Sequence, residues 1–206
     1  GVELAYVTLH VGATEVLAVR HISAEEVENH KVRSEFFEVG AEASTQINRA
    51  LTEKRRIIAV GTTVMRTLES LAVHNEPKAP IRPQTAWTDL YIYPGFQFKV
   101  VDVLLTNLHR PRSSHIVLTA AFAGKDLVMR SYAEILEKGG YEFDMFGDSM
   151  LILLPRGHAT NIMKRGECID TVVIGGGHAG LCMSYVLQRE GREHVVLEKA
   201  RTLEQW

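Results

Sequence analysis

The feature that most restricts the fold is a short buried strand that runs straight into a glycine turn and a helix. Arg56-Ile57-Ile58-Ala59-Val60 is β-branched and mostly apolar, Gly61-Thr62-Thr63 follows it, and a helical pattern then covers 64–73. A strand without polar alternation is covered on both faces, as strands of α/β folds are. In such folds ligands gather at the turns beyond the carboxyl ends of the strands. The neighbouring segments fit the same class. Residues 4–11 (LAYVTLHV) and 34–39 (SEFFEV) read as strands. Ala43, Ile47, Ala50 and Leu51 mark one face of a helix over 42–54. Ser23 stands where it would cap a short helix or turn ahead of Glu25 and Glu26. Three prolines make 74–85 a loop, and 89–93 (DLYIY) predicts a strand closed by Pro94-Gly95. Residues 98–105 are apolar and read as a strand or the entry to a helix. Helices are expected over 114–122 and 125–138, with Gly139-Gly140 as the stop, then a last strand over 149–154.

The chain has 206 residues, 46% of them hydrophobic, which is enough for one core and a small appendage. A net charge of −2 gives no general basic field, so contact with RNA would need a local patch. The two cysteines, Cys168 and Cys182, lack ligand-spaced partners, so no metal site is expected and reduced thiols of a cytoplasmic protein are the simpler reading. No apolar run reaches the length of a membrane span, and no signal peptide is seen. A strand pattern within a few residues of Gly1 reads as a start cut from something longer. Nothing in the composition sets an oligomeric state.

Polar clusters fall at the ends of the expected strands. They are His10 to Gly12, His30-Lys31 with Glu35, Gly61-Thr62-Thr63 with Arg66, Asp89 with Tyr93, Lys99 with Asp102, and Asn107 with His109. Strand-end loops of an α/β fold collect on one side, so these clusters could line one cleft. Each residue also has a plainer use. A lone histidine at a strand end is usually a hydrogen-bonded structural residue. Arg66 and Glu69, three apart on a helix, read as a surface ion pair. Tyr91 and Tyr93 share one strand face as core or sheet-surface residues do.

Six stretches make the reading specific. VTLHVG (7–12), HKVRSEFFEV (30–39), IAVGTTVMRTLES (58–70), WTDLYIYPGFQFKVVDVLLTN (87–107), LTAAFAG (118–124) and FGDSML (146–151) resemble, in order, the last part of the S-adenosylmethionine:tRNA ribosyltransferase-isomerases of queuosine biosynthesis. Two of them depart from the usual pattern: Ala13-Thr14-Glu15-Val16 stands where the family has Ala-Gly-Thr-Phe, and Leu108 and Arg110 flank His109 in place of Phe and Leu. The resemblance implies a partial α/β barrel-like domain over residues 1–154. It implies transfer and isomerisation of the ribosyl group of S-adenosylmethionine, as co-substrate, onto the 7-aminomethyl-7-deazaguanine wobble base of tRNA. Epoxyqueuosine in the tRNA, adenine and methionine would result. A chain beginning at Gly1 lacks roughly the first half of such an enzyme and is not expected to turn over alone.

That chemistry assigns expected roles. His10, His30 and His109 are the candidates for proton transfer. Gly12, Lys31, Glu35, Gly61, Thr62, Thr63, Arg66, Asp89, Tyr93, Lys99, Asp102 and Asn107 are the candidate substrate contacts. Arg66 would meet the methionine carboxylate or an RNA phosphate, and the acids would hold ribose hydroxyls or offset the sulfonium. Arg110 and Arg112, stiffened by Pro111 and grouped with Lys99, His109 and His115, form the expected tRNA patch. The competing reading from these residues is a non-catalytic RNA-binding remnant.

Composition changes at Pro155, and 155–169 reads as a linker. Residues 170–206 then give a strand, Gly175-Gly176-Gly177-His178-Ala179-Gly180, a helix over 181–189 and a strand ending at Glu198. This is a truncated Rossmann-type βαβ unit: Gly175, Gly177 and Gly180 shape the pyrophosphate turn and Glu198 would hold the adenosine ribose. The segment resembles the amino terminus of flavin-dependent monooxygenase-like oxidoreductases and implies FAD. One βαβ unit buries too little to bind it, so FAD is not expected on this chain. An FAD-dependent oxidoreductase is thus the second alternative function. Met163-Lys164-Arg165 resembles a natural start, which leads us to expect a join of two coding regions between Leu154 and Met163.

Overall fold

The computed structural model describes residues 2–12, 22, 26–73, 79–143 and 147–153, and the backbone of two strands at 171–174 and 194–197. The element order is β1 (Thr8–His10), a 3-10 turn (Val27–Asn29), β2 (Glu35–Val39), α1 (Ala41–Thr52), β3 (Ile58–Val60), α2 (Thr62–Val73), β4 (Gln84–Thr88), β5 (Val103–Asn107), α3 (Ser114–Ala123), α4 (Lys125–Lys138), β6 (Ser149–Leu153), β7 (Thr171–Ile174) and β8 (His194–Leu197). The class is mixed α/β. One sheet is antiparallel with order β1-β2-β4, and the other has order β3-β5-β6, parallel between β3 and β5 and antiparallel between β5 and β6.

Helix α2 lies between the two sheets and touches β1, β3 and β5. Its position explains its composition, since Met65, Leu68 and Leu71 are buried in the core with Phe37, Val39, Ala59 and Leu104. Alternation along β2 sends Phe37 and Val39 inward, while Glu38 faces out. Two polar clamps fix β4 beside the core. Asn48 on α1 both donates to the Ile81 carbonyl (2.7 Å) and accepts from its amide (2.9 Å), and the Ser44 hydroxyl donates to the same carbonyl (2.5 Å).

Four expectations are corrected by the structure. Residues 84–88 form a strand, whereas 89–93 do not. The reason is a competition for backbone groups. Arg66 takes the carbonyls of Thr88 and Leu90, and the Leu90 amide turns to Thr88 Oγ1. The segment 98–102 is likewise irregular, because the amides of Lys99, Val100 and Val101 all point at the Glu69 carboxylate. Glu69 is therefore fully buried instead of facing solvent, and Arg66 pairs with Glu35 instead of with it. The strand expected over 4–11 is short, covering Thr8–His10. Ser23 lies outside the described residues. The Pro94-Gly95 turn forms as expected, with Phe96 N–H donating to the Tyr93 carbonyl (3.0 Å) and Gly95 at φ 103°. Positive φ at the third position is the type II turn requirement that glycine meets without strain. The strands β7 and β8 pair in parallel, as a βαβ unit requires, while Gly175, Gly177, Gly180, Glu198 and the helix expected over 181–189 lie outside the described residues.

Candidate active site

Strand β3 ends at Val60, and Gly61 turns the chain into α2 at φ 97°. Its amide donates to the Leu105 carbonyl (2.8 Å), which ties the turn to the neighbouring parallel strand. The first residues of α2, Thr62 and Thr63, line a cleft of about 50 Å³. Opposite them stand Ser114 and His115, the first residues of α3, whose N-cap Ser113 accepts from the Ile116 amide (3.3 Å). Two helix N-termini thus border one space, and both favour negative charge there. Glu35, Arg66 and Tyr91 complete the polar wall.

Arg66 organises this wall. Its Nε donates to the Leu90 carbonyl (2.9 Å), Nη2 donates to the carbonyls of Thr88 (2.9 Å) and Arg33 (3.0 Å), and Nη1 pairs with the Glu35 carboxylate. Glu35, itself buried, also faces the Gly12 amide (3.4 Å). These bonds use the guanidinium as a positioning group for the loop that carries Tyr91. The Tyr91 hydroxyl is buried and has no hydrogen-bond partner among the described residues. Burial, with Glu28 and Tyr93 nearby, pushes its phenol up to about 12, so it stays protonated and can donate. The rings of His30 and Tyr93 pack on Tyr91 at centroid distances of 5.3 and 5.5 Å.

His10, His30 and His109 do not line the cleft itself; each neighbours a residue that does. His109 Nε2 and Thr106 Oγ1 are 2.8 Å apart, and the His109 amide donates to the Tyr132 hydroxyl (2.7 Å). Its ring lies 5.0 Å from that of His115. His10 is on the outward face of β1, its ring edge-on to Phe36, and the next residue, Val11, lines the cleft. Asp89 is exposed beside Leu90 of the cleft, and Tyr93 follows Ile92 of it. Lys31 is exposed beside Val32 of the cleft, and Asn107 reaches across to the Gly147 carbonyl (3.4 Å). Arg110 and Arg112 are exposed between His109 and α3.

Two expected contacts lie elsewhere. Asp102 sits before β5, at the end of the sheet opposite Asn107, where it accepts from the Ile57 amide (2.8 Å). Lys99 is at the same far end, with its ammonium on the Ala72 carbonyl near the C-terminus of α2 (3.2 Å). A five-residue strand separates them from the cleft by roughly 16 Å, so Lys99 is not part of a patch with Arg110 and Arg112. Conversely, Tyr91 and His115 take places in the cleft that their local sequence does not announce. The signal for His115 was its position at the start of a helix after a polar loop.

Residues 1–152 match the family profile described as queuosine biosynthesis protein, and residues 173–203 match that of an NAD(P)-binding Rossmann-like domain. Proteins named S-adenosylmethionine:tRNA ribosyltransferase-isomerase from Heliobacterium modesticaldum and Halothermothrix orenii are each 47% identical over 154 and 153 residues, covering 74% of this chain and 43% of each relative. The chain therefore spans less than half the length of these relatives. A crystal structure of S-adenosylmethionine tRNA ribosyltransferase from Thermotoga maritima superposes with a TM-score of 0.52 at 46% identity, covering 58% of this chain and 40% of that one. With residues 1–152 matching the family profile and a solved structure at 46% identity sharing the fold over 58% of the chain, the chain belongs to the queuosine biosynthesis protein family.

Proposed function

We propose that residues 1–152 supply part of an active site that transfers and isomerises the ribosyl group of S-adenosylmethionine onto the 7-aminomethyl-7-deazaguanine wobble base of a tRNA. The observation that carries this reading is the meeting of Thr62, Thr63, Glu35, Tyr91 and His115 at one cleft between two helix N-termini. At about 50 Å³ the cleft takes one functional group and not a whole nucleoside. It suits the methionine carboxylate, which the amides of α2 and α3 and the Tyr91 hydroxyl would hold. The sulfonium would rest against the Tyr91 ring, whose face attracts a cation. Proton removal beside the sulfonium and proton delivery to departing adenine fall to imidazoles. His109 and His115, with rings 5.0 Å apart, would share this work, and His10 and His30 stand at the rim. Gly61 and Gly12 let the backbone approach the substrate, and Asp89, Lys31, Asn107 and Tyr93 are rim contacts. Glu35 acts with Arg66 as a neutral pair that shapes the wall. Asp102 and Lys99 hold the far end of the fold. Arg110 and Arg112 would meet tRNA phosphates.

Barrel-like closure belongs to the same reading: β3 is an edge strand among the described residues, and Val60 is 43% exposed on it, open to a further strand. A cytoplasmic location fits a tRNA substrate, and no described helix is long and apolar enough to cross a membrane. For residues 170–206 the parallel β7–β8 pair supports a dinucleotide-binding unit, with FAD as the group its sequence resembles.

A chimera tests the main reading. Residues 1–152 would replace the matching segment of the Heliobacterium modesticaldum relative, and adenine release from S-adenosylmethionine would be followed with and without tRNA bearing the precursor base. Release that needs the tRNA is expected. A folded chimera that binds both substrates and releases no adenine would overturn the reading.

A further inference from the structure

We propose that the outward face of the β1-β2-β4 sheet is a stacking platform for unpaired RNA bases. This rests on the tRNA reading above and adds the surface on which the strand lies. Antiparallel register places His10 opposite Phe36 and Phe36 opposite Trp87, so three rings from three strands form one row. Their centroids are 5.4 and 5.8 Å apart, at interplanar angles of 76° and 69°. Folding does not demand this row. Leu9, Phe37 and Ala86, on the other face, pack in or against the core, whereas Trp87 is 67% exposed.

Exposed aromatic rings on a sheet offer planar surfaces that any nucleobase can stack on. The charges around the row favour a polyanion at one end. Lys31 and Arg33, both exposed, precede Phe36. Glu38 shares the face two residues beyond Phe36 and repels phosphate there, which confines the strand to the Lys31 and Arg33 end. The row also borders the cleft: Val11 follows His10, Glu35 precedes Phe36, and both line it. A target base held at the mouth of the cleft would leave its neighbours in the strand beside the three rings.

Trp87 and Trp206 are the two tryptophans, so Trp206→Phe makes Trp87 the sole indole. That variant of the full chain is titrated with a short single-stranded oligoribonucleotide of anticodon-loop sequence. Saturable quenching of Trp87 is expected, and the same strand annealed into a duplex should not produce it. Trp87→Ala should weaken binding of an end-labelled oligoribonucleotide roughly 5- to 150-fold, the range for loss of one stacked base. Trp87→Phe should keep most of the affinity, and Glu38→Gln should raise it. Unchanged affinity in Trp87→Ala, with native circular dichroism, would overturn the proposal. So would a Trp87 signal that follows protein concentration alone, which would assign the face to a second copy of the chain. Adenine release by the chimera is read separately. If it persists while the row fails to bind RNA, the platform falls and the enzymatic reading stands.

Discussion

Replacing Arg66 with Met keeps the apolar stem and removes the guanidinium on which one wall of the cleft depends. Four bonds disappear, to Leu90, Thr88, Arg33 and Glu35. The largest loss is at Glu35, whose side chain is 6% exposed and would keep only the Gly12 amide at 3.4 Å. Leaving a buried charge without its partner costs about 3–5 kcal/mol. The carbonyls of Leu90 and Thr88 lose partners worth about 1 kcal/mol each. These losses share one network and do not add, so a total near 3–5 kcal/mol is expected. For a chain of this size that lowers the melting temperature by roughly 6–20 °C. Urea unfolding of R66M, E35Q and the double variant measures it. The double variant should be more stable than the two single losses predict when added, by about 1 kcal/mol or more. An R66M protein within about 1 kcal/mol of the parent, or strict additivity, would refute the argument that the pair is buried and mutually required.

Other expectations follow from the same contacts. Burial pushes the Glu69 carboxyl up although three amides oppose it, so its neutral form is favoured more in the folded than in the unfolded chain. Its contribution is therefore complete below the ordinary carboxyl range and lost as pH rises through the raised folded value. E69Q should flatten that part of the stability–pH curve while destabilising the protein by about 1–3 kcal/mol, because its amide group faces backbone donors; an unchanged curve would count against it. Of the six tyrosines, Tyr91 should ionise near 12 in an ultraviolet titration, and Y91F should remove that late step and no other. G61A should cost about 1–2 kcal/mol in thermal melts, because the strain lies in the φ of 97° and the nearest atom to an added Cβ, Thr63 Oγ1, is at an ordinary 3.5 Å.

What could be read in advance was local. The run from Ile57 to Thr63 announced a strand, a turn and a helix, because apolar β-branching and a glycine act within a few residues. The pattern over 114–138 gave both helices for the same reason. What escaped was set by partners far along the chain. Residues 89–93 alternate like a strand, yet Arg66 holds the carbonyls of Thr88 and Leu90 from 22 and 24 residues away. Glu69 looked like a surface partner of Arg66, but the three amides that bury it come from 30 to 32 residues downstream. Residues 84–88 were hidden by Pro83 and by polar side chains, and they pair with β2 just beyond the point where Asn48 holds Ile81. The cleft was legible as a set of strand ends. Which histidine faces it depends on the packing of α3, and local pattern carries no such information.

The parallel pairing of β3 with β5 has a consequence for how the chain folds. Its ladder joins residues separated by 45 positions, as the Asp102 bond to Ile57 also does. The chain must close that long loop before the ladder returns any favourable energy, whereas α3 and α4, adjacent in sequence, can dock early. During refolding, helical signal should accordingly appear ahead of the turn at Gly61, and the cleft would be among the last parts to assemble.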